Sequence, residues 1–536
     1  MGIPIPKEKF MELDKKVELI QVPKGFNAAC AFIDDNVSQG RGGNIALYYE
    51  DKKITYRDVQ KEVNKMGNSL LELGVEIENR VSLLLLDRSE FVYSFFGAMK
   101  IGAVPVPLNT FMTSADYEFF LNDSRSKVLI MEESLWDKIE PIEKNLKYLK
   151  HIVCLGAPQK GQISYWDLAN KASPELEGAE TSKDDSCFWL YSSGSTGFPK
   201  GVVHLHHDPF IHADCFTRFV TEMKENDIGF SVAKLFFGFG LGNLFFAFKV
   251  GASQVLWPER PTAEGIFQII NKYRPTIFYC VPTMYARLLE EGLSQFDLSS
   301  LRLCVSGGEP LPADLYHRWK EKFNCEIIDG IGTTENIHML IANRPSKVKP
   351  GSTGLVIPGH EVKIVDESGK EVPDGEIGDL MLKSDSLTPG YWNQHEKSKQ
   401  IIMGEWCKTG DKYYRDADGY YWYAGRSDDM IKVGGIWVSP AQVEATLMEH
   451  EAVLESAVVG HPDENQLIKP KAFIVLKKGY QPSSQLAEEL KLFVKNKIAP
   501  YNWPRWVEFV DDLPKTATGK IQRYKLRKYE VNHKTE

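Results

Sequence analysis

Between Tyr191 and Gly201 the chain reads Tyr-Ser-Ser-Gly-Ser-Thr-Gly-Phe-Pro-Lys-Gly, which places four aliphatic hydroxyls, three glycines and one lysine in eleven residues. Glycines let successive backbone N–H groups turn toward one point, and hydroxyls and an ammonium add donors suited to anionic oxygens. The composition predicts a polyphosphate cradle built from Ser192, Ser193, Gly194, Ser195, Thr196, Gly197 and Lys200. It is not a Walker loop, because G-x-x-x-x-G-K-[ST] occurs nowhere in the chain. A plain surface loop would share this composition, so the weight falls on what lies downstream.

Four further segments carry matching chemistry. Gly307-Gly308-Glu309-Pro310 follows an apolar run, and small residues at a strand's carboxyl end let a flat ligand approach the backbone. Asp329-Gly330-Ile331-Gly332-Thr333-Thr334-Glu335 follows another; Glu335 offers a carboxylate to a hard cation and Thr334 a hydroxyl to a phosphate. Asp411 precedes an Asp-Gly turn that leads to Arg426, a carboxylate for ribose hydroxyls and a guanidinium for ribose or phosphate. Near the end, Pro514 to Lys520 sets a lysine on a Gly/Thr loop, where it can meet an anion as a point charge.

Taken in order, these segments resemble the AMP-forming adenylating superfamily of acyl-CoA synthetases, adenylation domains and luciferases, from Ile54-Thr55-Tyr56 to Lys520. Within it the chain is most similar to the aryl-CoA ligases of the benzoate–CoA ligase type. That narrower resemblance rests on Val202-Val203-His204 after the cradle, on Ala233 to Phe237 through Gly240-Leu241-Gly242-Asn243, and on Gly330 to Glu335 with His338. It implies attack of a carboxylate on the α-phosphate of ATP, then capture of the acyl-adenylate by coenzyme A, with Mg²⁺ on Glu335. It further implies that Gly308, Glu309, Pro310, Asp329 and Gly330 flank adenine, with Ile331, Gly332 and Thr333 beside AMP. Thr334 would meet the α-phosphate, Asp411 and Arg426 the ribose, and Lys520 both carboxylate and phosphate. A small C-terminal domain would rotate about Asp428 and bring Lys432, Gly434, Gly435 and Trp437 to coenzyme A. The domains would then be 1–427 and 428–536.

The acid pocket is expected from Lys234, Phe237, Gly238, Phe239, Gly240, Gly307, Gly332 and His338. No carboxylate among them could pair with an α-amine, which disfavours amino acids. Benzoate ligases carry a small residue and then Tyr where this chain has Gly238 and Phe239, so the pocket should be roomier and less polar. Substituted benzoates and alicyclic acids therefore stand beside benzoate. A carrier-protein-loading adenylation enzyme and a non-catalytic acyl- or nucleotide-binding protein are the rivals, the second disfavoured by Glu335, Asp411, Arg426 and Lys520. His204, His206 and His207 have no Cys or Asp cluster around them in sequence and are not expected to bind metal.

These residues need elements to hold them. Val59, Val63, Met66 and Leu70 recur at helical spacing between Thr55, a capping residue, and Gly74, a stop signal. Val81 to Leu86 is apolar apart from Ser82, as in a strand covered on both faces. Alternation of this kind over the first two-thirds predicts α/β layers with largely parallel sheets. After about residue 350 dense turn dipeptides predict antiparallel hairpins, a small barrel or twisted sheet. Beyond Arg426 an α+β pattern restarts, with Ser439-Pro440-Ala441-Gln442 expected to open a helix through a capping box. At 536 residues the chain exceeds one ordinary core.

A net charge of −9 offers no basic footprint for nucleic acid. The longest apolar run, Leu235 to Phe248, is too short for a membrane span, and neither terminus carries a targeting signal. Eight cysteines without C-x-x-C spacing suit a reducing cytoplasm. A monomer and a homodimer both remain compatible.

Overall fold

The computed structural model describes residues 18–194, 197–291, 297–427, 429–433, 436–464, 467–498, 502–515 and 521–529. Ser195, Thr196, Asp428, Gly434, Gly435 and Lys520 lie outside the described residues, as do the side chains of Ser193, Lys432 and Trp437.

Two sheets dominate the large N-terminal part. One has five strands, all paired in parallel, in the order Val104–Pro107, Arg80–Leu84, Val128–Glu132, His151–Leu155, Ile163–Ser164. The other has nine. Its parallel centre runs Ile327–Gly332, Leu303–Gly307, Ile277–Cys280, Ile228–Ser231, Ser253–Leu256, Ile45–Tyr49, with antiparallel strands at both edges. Strands buried on both faces explain the apolar runs.

The helix Tyr56–Glu72 forms as its pattern predicts. Thr55 accepts from the Asp58 backbone N–H while the Asp58 carboxylate reaches back to Thr55. Gly74 ends it at φ +73°, with its N–H bonded to the Leu71 carbonyl and that of Val75 to Leu70, a Schellman closure. Val59, Val63, Met66 and Leu70 are fully buried, each contributing roughly 1.5–3 kcal/mol. This helix crosses Ser89–Lys100 closely, because Gly67 and Gly97 meet there: a Cβ on Gly97 would lie 3.0 Å from the Val63 carbonyl oxygen.

After residue 355 the chain turns antiparallel. His360–Val365, Gly378–Ser384 and Trp406–Arg415 pair in sequence, and both Ile402–Met403 and Tyr421–Arg426 pair with Trp406–Arg415. Among the described residues the pairings of this five-stranded sheet form an open path. The small C-terminal domain packs the helices Pro440–Met448 and Ser484–Lys497 on a three-stranded sheet, Val453–Pro462, Ile468–Leu476 and Trp506–Phe509. Ser439 caps the first of these helices by accepting from the Gln442 N–H. The reciprocal arm of the expected capping box is absent: the Gln442 side-chain oxygen Oε1 instead accepts from Asn502 Nδ2, 3.3 Å away. No helix among the described residues is long and apolar enough to cross a membrane.

Candidate active site

The Gly-rich segment is the tip of a β-hairpin, Ser186–Gly194 against Gly197–Leu205. Ser192 stands opposite Lys200, and a register shift between Ser192 and Gly194 marks a bulge there. Bulges re-aim side chains at sheet rims. The Ser192 hydroxyl is buried without a hydrogen-bond partner. Tyr191, at the start of the motif, turns away and donates to Asp123 at 2.6 Å. Burial of Lys200 lowers its ammonium pKa, opposed by Glu335.

Glu335 reaches this hairpin through the neighbouring sheet. Leu303–Gly307 and Ile327–Gly332 are adjacent parallel strands with Ser306 opposite Asp329 and Gly307 opposite Gly330. The small residues of both motifs therefore form one shelf at the strands' carboxyl ends. Ile327–Gly332 then turns back antiparallel through Thr334–Asn336, a single 3₁₀ turn. Ile337 closes that turn at φ +66°, a costly conformation for a β-branched residue. Its carbonyl oxygen would lie only 2.5 Å from a Cβ on Gly238, so the strained turn and the small residue at 238 require each other.

The Tyr391 hydroxyl donates to Glu335 Oε1 at 2.6 Å and accepts from Lys200 Nζ at 3.2 Å. Lys200 also sits 4.4 Å from the centroid of the Tyr391 ring. Burial and the adjacent Glu335 charge raise the phenol pKa strongly, so Tyr391 stays a neutral donor. On the antiparallel sheet Asp411 stands directly opposite Arg426, and their side chains pair at 3.0 Å. Asp411 raises the guanidinium pKa further, and Glu335 acts on it in the same direction. The field of Arg426 is in turn felt at Lys200. Lys200, Glu335, Tyr391, Asp411 and Arg426 thus share one electrostatic neighbourhood. Gly410, at φ +78°, leaves room for it: a Cβ there would lie 2.8 Å from Arg426 Nη2.

Glu309 accepts from the Thr283 hydroxyl at 2.6 Å, beside Gly308 at φ +87°. Asp329 is buried, and burial pushes its carboxyl up to about 8, against favourable interactions with Ser306, Leu311 N–H and Gly330 N–H. One of its oxygens has no partner, so a donor from a ligand could still be satisfied there.

His338 is buried in an aromatic wall. Its ring stacks on Phe239 at 5.0 Å and meets Phe216 and Phe246 edge-on. Burial lowers its pKa to about 3, so the imidazole is neutral. Gly242 gives it space: a Cβ there would lie 2.7 Å from His338 Cδ2. Gly307 faces Phe239 and Met339, Gly332 faces the His338 backbone, and Gly240 lies against the Lys234 carbonyl. Gly307, Phe239, His338 and Gly332 therefore pack against one another in one aromatic cluster. Lys234 does not point there; its ammonium is bonded to the carbonyls of Trp257 and Glu259 and lies 3.9 Å from Asp87. Phe237 packs edge-on to Phe236 at the start of the helix Gly238–Val250.

Sequence reasoning missed one residue and the structural role of another. Tyr391 is one; Gly390-Tyr391-Trp392 carries no pattern that points to Glu335. His204 is the other. Its Nε2 contacts the Thr334 carbonyl at 2.8 Å and its Nδ1 the Asp208 carboxylate at 3.2 Å, tying the hairpin to the Thr334–Glu335 turn. The i,i+4 spacing of His204 and Asp208 was the available signal.

Lys432 and Trp437 are backbone register partners in the hairpin Ile431–Val433 and Ile436–Val438. Among the described residues no group of three His, Cys, Asp or Glu could hold a metal ion unaided.

Comparison with known proteins places this architecture. The model of the AMP-binding enzyme family matches residues 34–392, and that of the AMP-binding enzyme C-terminal domain matches 442–520. The benzoate–CoA ligase of Thauera aromatica is 46% identical over 95% of this chain and 97% of its own. The 4-hydroxybenzoate–CoA/benzoate–CoA ligase of Rhodopseudomonas palustris is 44% identical over 94% of each. Among solved structures, an anthranilate–CoA ligase in complex with anthranoyl-AMP superposes with a TM-score of 0.91 at 48% identity, covering 95% of this chain and 98% of that one. A benzoate–CoA ligase from Burkholderia xenovorans gives 0.87 at 42% identity, covering 94% and 100%. The chain belongs to the family of AMP-binding enzymes, in its adenylate-forming aryl–CoA ligase branch.

Proposed function

We propose that this enzyme joins benzoate, or a benzoate with a small ring substituent such as 2-aminobenzoate, to coenzyme A at the expense of ATP. The observation that carries the reading is the aromatic stack of Phe239 on neutral His338, close in the chain to the Lys200, Glu335 and Arg426 cluster. His338 follows Glu335 by three residues, so an aromatic surface adjoins groups suited to phosphate.

In the first step a carboxylate oxygen bonds to the α-phosphorus and the bond to pyrophosphate breaks. Ser192, Ser193, Gly194, Ser195, Thr196, Gly197 and Lys200 would hold the leaving pyrophosphate, and Thr334 the α-phosphate. Asp411 and Arg426 would fix the ribose, and Gly308, Glu309, Pro310, Asp329 and Gly330 the adenine. Such catalysis is positioning and charge stabilisation more than covalent work. A single protein carboxylate, Glu335, with no ready-made cage around it, fits Mg²⁺, which keeps its waters and takes most ligands from phosphates. When bound, the ion would offset charge on the triphosphate.

In the second step the thiol sulfur bonds to the acyl carbon, AMP leaves with the attacking oxygen, and the thiol proton goes to solvent. Lys520 would serve the first step, and Lys432, Gly434, Gly435 and Trp437 the second, through rotation of residues 428–536 about Asp428.

Pyrophosphate release across benzoate, hydroxybenzoates, 2-aminobenzoate, cyclohexene carboxylate and medium-chain fatty acids tests the reading. Benzoate-type acids should lead. Cyclohexene carboxylate in first place would move the assignment to alicyclic acids, as Phe239 in place of Tyr allows. A tenfold preference for linear fatty acids would refute it.

A further inference from the structure

The segment Thr388–Gln394 crosses the phosphate-side hairpin like a strap. The Val203 N–H donates to the Gly390 carbonyl, and the Trp392 N–H donates to the Gly201 carbonyl at 2.8 Å. The Thr388 hydroxyl donates to Val203 at 2.6 Å and Gln394 to Pro199 at 3.4 Å. Trp392 packs on Trp189 with ring centroids 4.6 Å apart and donates to the Asp123 carbonyl. The other side of the strap grips the metal-side turn, since the Thr388 N–H donates to the Glu335 carbonyl at 2.8 Å. Tyr391 lies at the middle of this rigid segment, in bridge pairing with Val202.

The order of donors is fixed by chemistry. An ammonium can only donate and a carboxylate can only accept, so the phenol proton must point to Glu335. No ion pair forms directly between Lys200 and Glu335; Tyr391 stands between them. Glu335 Oε2 takes no hydrogen bond from any described residue.

We propose that Tyr391 is a positioning residue for the nucleotide. Its hydroxyl holds Glu335 by one oxygen, leaves the other for the cation that accompanies ATP, and gives Lys200 a neutral resting partner. Without that hydroxyl the two opposite charges would close on each other. Each would then have to be separated before the triphosphate and its cation could bind. The proposal rests on the reading of Glu335 and Lys200 given above.

The test is Tyr391→Phe, which keeps the ring over Lys200, measured alone and with Glu335→Gln. MgATP binding to the full chain is followed by calorimetry without acid, and thioester formation is followed from supplied benzoyl-adenylate and coenzyme A. Loss of one hydrogen bond to a charged group predicts MgATP binding about tenfold weaker in Tyr391→Phe. The Mg²⁺ concentration for half-maximal binding should rise in parallel, while thioester formation stays within about twofold. On the Glu335→Gln background the second substitution should add less than about twofold. An unchanged MgATP affinity overturns the proposal. So does a full tenfold loss on the Glu335→Gln background, or an equal fall in thioester formation, which would mark a merely structural role. A wild-type chain that binds no MgATP would overturn the functional reading and this proposal together; wild-type binding with an unaffected variant overturns this proposal alone.

Discussion

Replacing Gly307 by Ala should damage acid binding while sparing the fold and ATP binding. A Cβ at this position would lie 2.7 Å from Met339 Cε and 3.1 Å from Phe239 Cε2. Both are the far ends of side chains. To restore an ordinary 3.4 Å contact, Met339 must retreat by about 0.7 Å and the Phe239 ring by about 0.3 Å. Small moves of this kind cost on the order of 1–2 kcal/mol in the packed interior. The displaced ring is the one that stacks on His338, the surface proposed to receive the acid. One methyl's worth of space lost beside an aryl ligand is worth roughly 1–3 kcal/mol of discrimination, or 10- to 200-fold. Steady-state pyrophosphate release with Gly307→Ala should therefore show the KM for benzoate raised at least about tenfold, and more for 2-aminobenzoate. The KM for ATP should stay within about twofold, because the clash involves no part of the Lys200–Tyr391–Glu335 network. Equal changes in both KM values, or none in either, would refute the placement of the acid between Gly307, Phe239 and His338.

Asp329 supplies a pH prediction. Its carboxyl titrates near 8 in the folded chain through burial, against the ordinary 3.8. The unfolded chain gives up this proton first, so the group's contribution to stability falls as pH rises from about 4 to about 8 and is constant above that. Asp329→Asn should gain stability relative to wild type across that window, by an amount on the order of a few kcal/mol at pH 8. Urea melts at pH 5 and pH 8 measure it, and a difference independent of pH contradicts the buried, protonated carboxyl. The buried histidines His206, His338 and His360, all lowered by burial, act with the opposite slope below about pH 6.5 but cancel in the comparison. Lys520→Ala should nearly abolish adenylate formation while preserving thioester formation from supplied adenylate; equal loss of both steps would remove Lys520 from its assigned role.

Much of the fold was legible because its elements announce themselves locally. Thr55, the Val59 to Leu70 stripe and Gly74 define a helix without any partner. Val81 to Leu86 can hardly be anything but a covered strand. Gln442 misled because a cap competes with tertiary partners, and Asn502 took its side-chain oxygen. Two of the motifs come together because each follows a strand of the same parallel sheet, which sets Gly307 opposite Gly330. Tyr391 was not legible: its partners Lys200 and Glu335 are 191 and 56 residues away, and nothing near Tyr391 marks the link. The same holds for Ile337, whose positive φ is imposed by the turn and not by its residue type.

The central claim is that an aromatic carboxylate is activated as a mixed anhydride with AMP and then passed to coenzyme A. Turnover of benzoate carrying ¹⁸O in both carboxyl oxygens tests it directly. Attack by the carboxylate on the α-phosphorus leaves one labelled oxygen in every AMP released, as mass spectrometry would show. Unlabelled AMP, or formation of ADP and phosphate in its place, would contradict the account.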